Sequence, residues 1–129
     1  MAGRRVEWGV DGYAEVESLE ALDRLLNYLH TQALEKPFMV ELIAARGESL
    51  AMGLGRDESV LSWVRGDQNP PYYASKGDAT AVGMIVFFYR GAWSEFPRWS
   101  AVPLMRAREA MRRFFSTGQM PDNVEWIEV

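Results

Sequence analysis

The sequence predicts an α+β fold: an antiparallel β-sheet meander with two main α-helices packed on the sheet. Two segments repeat apolar residues at helical spacing, the stretch between them reads as strands, and its turns are short and contain glycine. A chain of 129 residues, 48% apolar and 25% charged, buries roughly two thirds of its unfolded surface when it folds around one core. Repeats and low-complexity tracts are absent, so residues 1–129 read as one domain without a linker.

From Leu19 the apolar residues fall at Leu22, Leu25, Leu26, Leu29, Ala33 and Leu34, a stripe of period 3.6, with Ser18 placed to cap the run and Pro37 to stop it. A second helix begins near Pro103 and puts Leu104, Ala107, Met111, Phe114 and Phe115 on one face. Gly118 terminates it and Pro121 prevents continuation. Between the helices, residues 38–45, 50–54, 60–65 and 84–90 read as strands. Arg46-Gly47-Glu48 and Gly55-Arg56-Asp57-Glu58 are short connections of the kind that join antiparallel neighbours, so the first three strands form a meander. Residues 72–75 add a short strand, and 13–16 and 124–127 complete the sheet. The run Met84–Tyr89 is apolar in both phases of the alternation. It therefore sits centrally with both faces covered, or offers one face to a partner.

Composition excludes several chemistries. With no cysteine there is no disulfide, thiolate metal site, cysteine nucleophile or thiol redox switch. A single histidine, His30, excludes a multi-histidine metal centre and leaves a histidine triad one candidate. Fourteen basic against eighteen acidic residues give a net charge of -4. That balance disfavours broad nucleic-acid binding and suits a basic partner. Arg4 and Arg5 are not followed by an apolar segment, and the longest run that is apolar apart from glycine, 81–89, falls far short of the roughly 20 residues that span a bilayer. The expected location is cytoplasmic.

The loop acids Asp57, Glu58, Asp67, Asp78 and Glu95 invite a carboxylate hypothesis, but hydrolysis needs two or three carboxylates converging on one cleft, and no metal-binding or calcium-loop spacing occurs. His30 lies near a helix end, where the dipole favours its protonated form, and no Gly-x-Ser-x-Gly elbow accompanies it. Gly53-Leu54-Gly55 lacks a third glycine and a following helix, so it reads as turn glycine rather than a phosphate loop. Arg106, Arg108, Arg112 and Arg113 read as a solvated helix face, with Glu109 at pairing distance along the helix. No catalytic, cofactor-binding or metal-ligating residue is assigned. Five tryptophans, five tyrosines and six phenylalanines are more informative. Trp63, Tyr72, Tyr73, Trp93, Phe96 and Trp99 fall in loops or at strand ends among acids, the composition of an interface with aromatic hot spots.

The succession Phe96-Pro97, Ser100-Ala101-Val102-Pro103, Ala107-Arg108-Glu109-Ala110, Phe114, Thr117-Gly118, Pro121 and Val124-Glu125-Trp126 resembles the closing signature of immunity protein family one from bacterial polymorphic toxin systems. Upstream, Gly53-Leu54-Gly55, Ser59-Val60-Leu61, Tyr73-Ala74-Ser75-Lys76-Gly77 and Val86-Phe87-Phe88-Tyr89 follow that family's order, so the resemblance spans residues 38–126. One stretch departs from it: Gln119-Met120 stands between Gly118 and Pro121, where members often carry charged residues. The resemblance implies a noncatalytic cytoplasmic antidote without a cofactor. It would bind a cognate toxin, encoded by the neighbouring gene and often a deaminase or other nucleic-acid-directed enzyme, and block its active site or an adjacent surface. Neither nucleic acid nor membrane is an expected direct partner. The expected contact set is Asp57, Glu58, Trp63, Asp67, Tyr72, Tyr73, Asp78, Trp93, Glu95 and Trp99. The alternative is a small-molecule-binding domain or carboxylate-based enzyme with its pocket between sheet and helices; a third reading is an oligomerising module that uses Met84–Tyr89 as an edge.

Overall fold

In the computed structural model, which describes residues 4–129, the Ser18 hydroxyl accepts a hydrogen bond at 3.0 Å from the Ala21 N–H and opens α1 (Leu19–Ala33). Leu22, Leu26, Leu29 and Ala33 are its buried stripe. The helix ends at Ala33, so Leu34 lies past the last turn and is 60% exposed rather than part of that stripe. α2 (Leu104–Thr117) buries Ala107, Ala110, Met111, Phe114 and Phe115, and Gly118 closes it in the left-handed conformation at φ 70°.

Both helices pack on one face of a sheet whose strands run in the order β11 (Glu125–Glu128), β7 (Tyr73–Lys76), β6 (Leu61–Val64), β4 (Ser49–Leu54), β3 (Phe38–Ile43), β1 (Arg4–Trp8) and β2 (Gly12–Val16). Every pairing along this path is antiparallel. Alternation sends Val40, Leu42, Leu50, Met52, Leu54 and Leu61 into the helix-side core. The predicted meander is β3–β4–β6, and the predicted terminal strands are β2 and β11. Two strands of this sheet lie outside the sequence reading, β1, which pairs with both β2 and β3, and β9 (Ala92–Pro97), and so do the two short strands of a separate ribbon. A two-stranded ribbon of β5 (Glu58–Ser59) and β10 (Val102–Pro103) leads into α2, whose Leu104 N–H donates to the Asp57 carbonyl at 2.9 Å.

β8 (Met84–Tyr89) does not sit centrally in the sheet. β1 already occupies the side of β3 from Val40 to Ile43, which leaves β8 a single parallel bridge at Phe38–Phe88. It forms a hairpin with β9 instead, and that hairpin covers the sheet face opposite the helices. Ile85 and Phe87 join Met39, Ala51, Val60 and Ala101 in a second, smaller core, with Tyr89 and Phe96 at its margin. One apolar phase of the strand is thus consumed by this core, and the other, Met84, Val86 and Phe88, is turned away from it.

The α2 arginines clamp the helices more than they coat them. Arg112 pairs with Asp23 of α1, Arg108 lies 3.6 Å from the same carboxylate, and Arg108 also donates to Asn27 Oδ1 at 3.0 Å. Arg113 holds Glu109 at 3.0 Å and Asp122 at 2.6 Å. Arg106 is exposed.

Candidate functional site

Contacts sort the ten candidate residues into three groups. In the first, Trp63 packs against the helix-side core with its ring 6.1 Å from that of Tyr73. Nearby, the Tyr72 hydroxyl donates to the Gln68 carbonyl at 3.0 Å, and Asp67 takes the Asn69 N–H at 3.0 Å and Arg65 at 2.7 Å. The Asn69 N–H and the Arg65 charge hold the Asp67 carboxyl below its ordinary range.

The second group surrounds the β5–β10 ribbon. Glu58 pairs with Arg98 at 3.1 Å, the half-buried Trp99 accepts the Gly77 N–H on its carbonyl at 2.7 Å, and Asp57 is exposed. Asp78 accepts both the hydroxyl and the N–H of Thr80, at 2.7 and 2.9 Å, which lowers its pKa. Asp78 is thus engaged within its own turn, and Glu58 across to the short helical turn that carries Arg98.

The third group is Trp93 and Glu95 on β9, and it differs in kind. Trp93 is 63% exposed, yet its position is fixed: its Nε1 donates to Glu95 Oε2 at 3.0 Å, and its ring meets Phe88 edge-on at 5.7 Å. Cross-strand pairing places Trp93 opposite Phe88, Glu95 opposite Val86 and Pro97 opposite Met84. These six residues share the outer face of the hairpin, opposite to Phe87 and Ile85. Met84 is 47% exposed. The structure therefore unites two of the expected contacts with apolar residues of β8 that the sequence reading left outside the set.

Two anchors make this hairpin rigid. Its two-residue turn, Arg90-Gly91, has both residues at positive φ, 53° and 82°, the geometry that matches strand twist. Arg90 pairs with Glu41 on β3 and lies 3.7 Å from Glu7 on β1, which in turn holds Arg5 at 2.9 Å. On the side of β8 away from β9, Arg56 Nε donates to the Val86 carbonyl at 3.0 Å and Phe88 N–H donates to the Pro37 carbonyl at 2.9 Å.

The charged group around Arg90 lines a cleft of about 120 Å³ between the β1–β2 turn and the β8–β9 hairpin. Burial, and after it the adjacent Glu41 carboxylate, push the Tyr89 hydroxyl above its ordinary pKa, while Glu41 raises that of Arg90. The arginines and glutamates neutralise one another and the tyrosine stays protonated, an arrangement that staples three elements. Among the described residues no three His, Asp or Glu side chains are placed to hold a metal ion. His30, half-buried near the end of α1, accepts the Gly55 N–H on Nδ1 at 3.0 Å and so anchors the turn after β4.

A family model described as Immunity protein Imm1 matches residues 4–128. The chain belongs to the Imm1 immunity protein family. No curated protein matches it. The Imm1 role is that of an immunity protein, and the family is generally noncatalytic. No helix among the described residues is long and apolar enough to cross a membrane.

Residues that resembled the Imm1 signature turn out to hold the fold. Ser75 Oγ donates to the Ser100 carbonyl at 2.7 Å and accepts the Leu61 N–H at 3.0 Å, both buried. Ser59 Oγ donates to the Gly53 carbonyl at 2.8 Å and accepts the Gly53 N–H at 2.9 Å. Trp126 Nε1 donates to the Pro121 carbonyl at 2.7 Å. Such residues report the family; the partner surface has to be sought in what remains exposed. The sequence signal for the β8–β9 hairpin is Arg90-Gly91, a two-residue turn between Met84–Tyr89 and an alternating Trp93, Glu95 phase.

Proposed function

We propose that this Imm1 chain is a noncatalytic antidote that captures a cognate toxin encoded by the neighbouring gene, a nucleic-acid-directed enzyme such as a deaminase, and blocks its active site or an adjacent surface. The observation that carries the reading is the match to the immunity family over residues 4–128. The surface agrees with it. An exposed tryptophan held in place by a carboxylate and an aromatic edge is ordered before any partner arrives, and it is the kind of anchor that dominates protein interfaces. Surplus carboxylates on a chain of net charge -4 steer a partner whose active site is built for phosphate polymers.

The ten candidate residues do different work in this reading. Trp93 and Glu95 form the contact. The exposed Asp57 and Tyr72 stand at its disposal, and Glu58, Asp67, Asp78, Trp63, Tyr73 and Trp99 contribute chiefly by fixing the turns and strands they stand on. The test is protection. Bacteria expressing the neighbouring toxin gene should resume growth when this chain is co-expressed, and growth arrest that the chain leaves unchanged would contradict the reading.

A further inference from the structure

Beside Trp93 the structure leaves an apolar socket that neither the fold nor the family assignment uses. Trp8 and Gly9 at the end of the first hairpin, Phe38 at the start of β3, and Phe88 and Gly91 of the second hairpin enclose about 210 Å³, with Lys36 as the one charged residue of the lining. A space this small falls below the roughly 300–1,000 Å³ of small-molecule sites; it is sized for one side chain. Val10, 85% exposed at the neighbouring turn, closes against Gly91, where an added Cβ would lie 2.9 Å from Val10 Cγ2.

Lys36 carries the electrostatic part of the argument. Its Nζ lies 4.1 Å from the centre of the Phe88 ring, and it makes no salt bridge to a carboxylate of the described residues. The lining is otherwise apolar, so a ligand that enters it leaves a positive charge at the edge to be matched. Both walls are pre-set, because Arg90 ties the β8–β9 turn to Glu41 and Glu7, and little ordering remains to be lost on association.

We propose that this socket receives an apolar anchor side chain of the cognate toxin, from a segment whose neighbouring carboxylate pairs with Lys36, while Trp93 covers the same segment from the β9 side. The proposal rests on the antidote reading above and specifies its contact.

Calorimetric titration with the neighbouring gene's toxin, silenced in its active site, separates the two. Trp93→Ala and Lys36→Glu should each weaken binding about tenfold or more, the range of interface hot spots, while each variant still unfolds in one cooperative thermal transition well above the titration temperature. Tyr28→Ala, an exposed aromatic on α1, should bind as the unaltered chain does. If the unaltered chain binds and both socket variants keep their affinity within about twofold, the socket is overturned while the antidote reading stands. If the unaltered chain does not bind, both fall.

Discussion

Phe87 seats its ring directly on the backbone of Gly53. A Cβ built at Gly53 would lie 2.6 Å from Phe87 Cδ1, and the Phe87 side chain is fully buried. The absence of a side chain on β4 is therefore what lets the β8–β9 hairpin descend onto the sheet and form the second core. Gly53→Ala should cost about 1–3 kcal/mol, the usual penalty for overpacking. Adding Phe87→Leu should recover part of the loss, a coupling that denaturant unfolding of the single and double variants measures.

Ser75 is a joint between strands rather than a surface group. Its hydroxyl satisfies both the Leu61 N–H and the Ser100 carbonyl in a buried site. Ser75→Ala strands both and should cost about 2 kcal/mol. Gly77→Ala should be worse, since its Cβ would collide with the Ala101 carbonyl group, 2.9 Å from the carbon. Circular dichroism melts should place both variants below the unaltered chain, Gly77→Ala the lower.

Asp23 takes two arginines at once across the helix pair. Because these side chains are partly exposed, solvent screens the gain. Asp23→Ala should cost about 1 kcal/mol or less, and the difference should shrink in high salt. Urea unfolding at low and high ionic strength checks this.

Tyr89 gives the fold an alkaline limit. Its folded pKa lies above the unfolded value near 10, so above that pH the folded chain holds a proton that the unfolded chain has lost. The stability it contributes is complete below pH 10 and declines as pH rises toward the folded ionisation. Tyr89→Phe has no such proton. Its melting temperature should fall less steeply than that of the unaltered chain between pH 9 and 11, to be read from melts at closely spaced pH values.

How far the sequence reached depends on the kind of constraint. Both helices were legible because Ser18, Gly118 and a 3.6-residue stripe are local signals, and β3–β4–β6 because short turns force neighbours to pair. β1 was not, since Arg4, Arg5 and Glu7 flank a single buried Val6 and dilute the alternation. β9 was not, because its exposed Ala92, Trp93 and Glu95 resemble a loop when read without their partner strand. The position of β8 could not follow from its own residues: an apolar strand looks the same in mid-sheet and in a hairpin laid across the sheet. The candidate site inherits that gap. Trp93 and Glu95 were visible as types, but Trp8, Phe38 and Phe88 meet beside them only through the β3–β8 bridge at Phe38.

Calorimetry on the purified chain and the neighbouring gene's inactivated toxin tests the antidote account most directly. One toxin should bind each chain with nanomolar affinity, and the same stoichiometric amount should abolish the activity of the active toxin. No heat of binding, with toxin activity undiminished at excess chain, would contradict it.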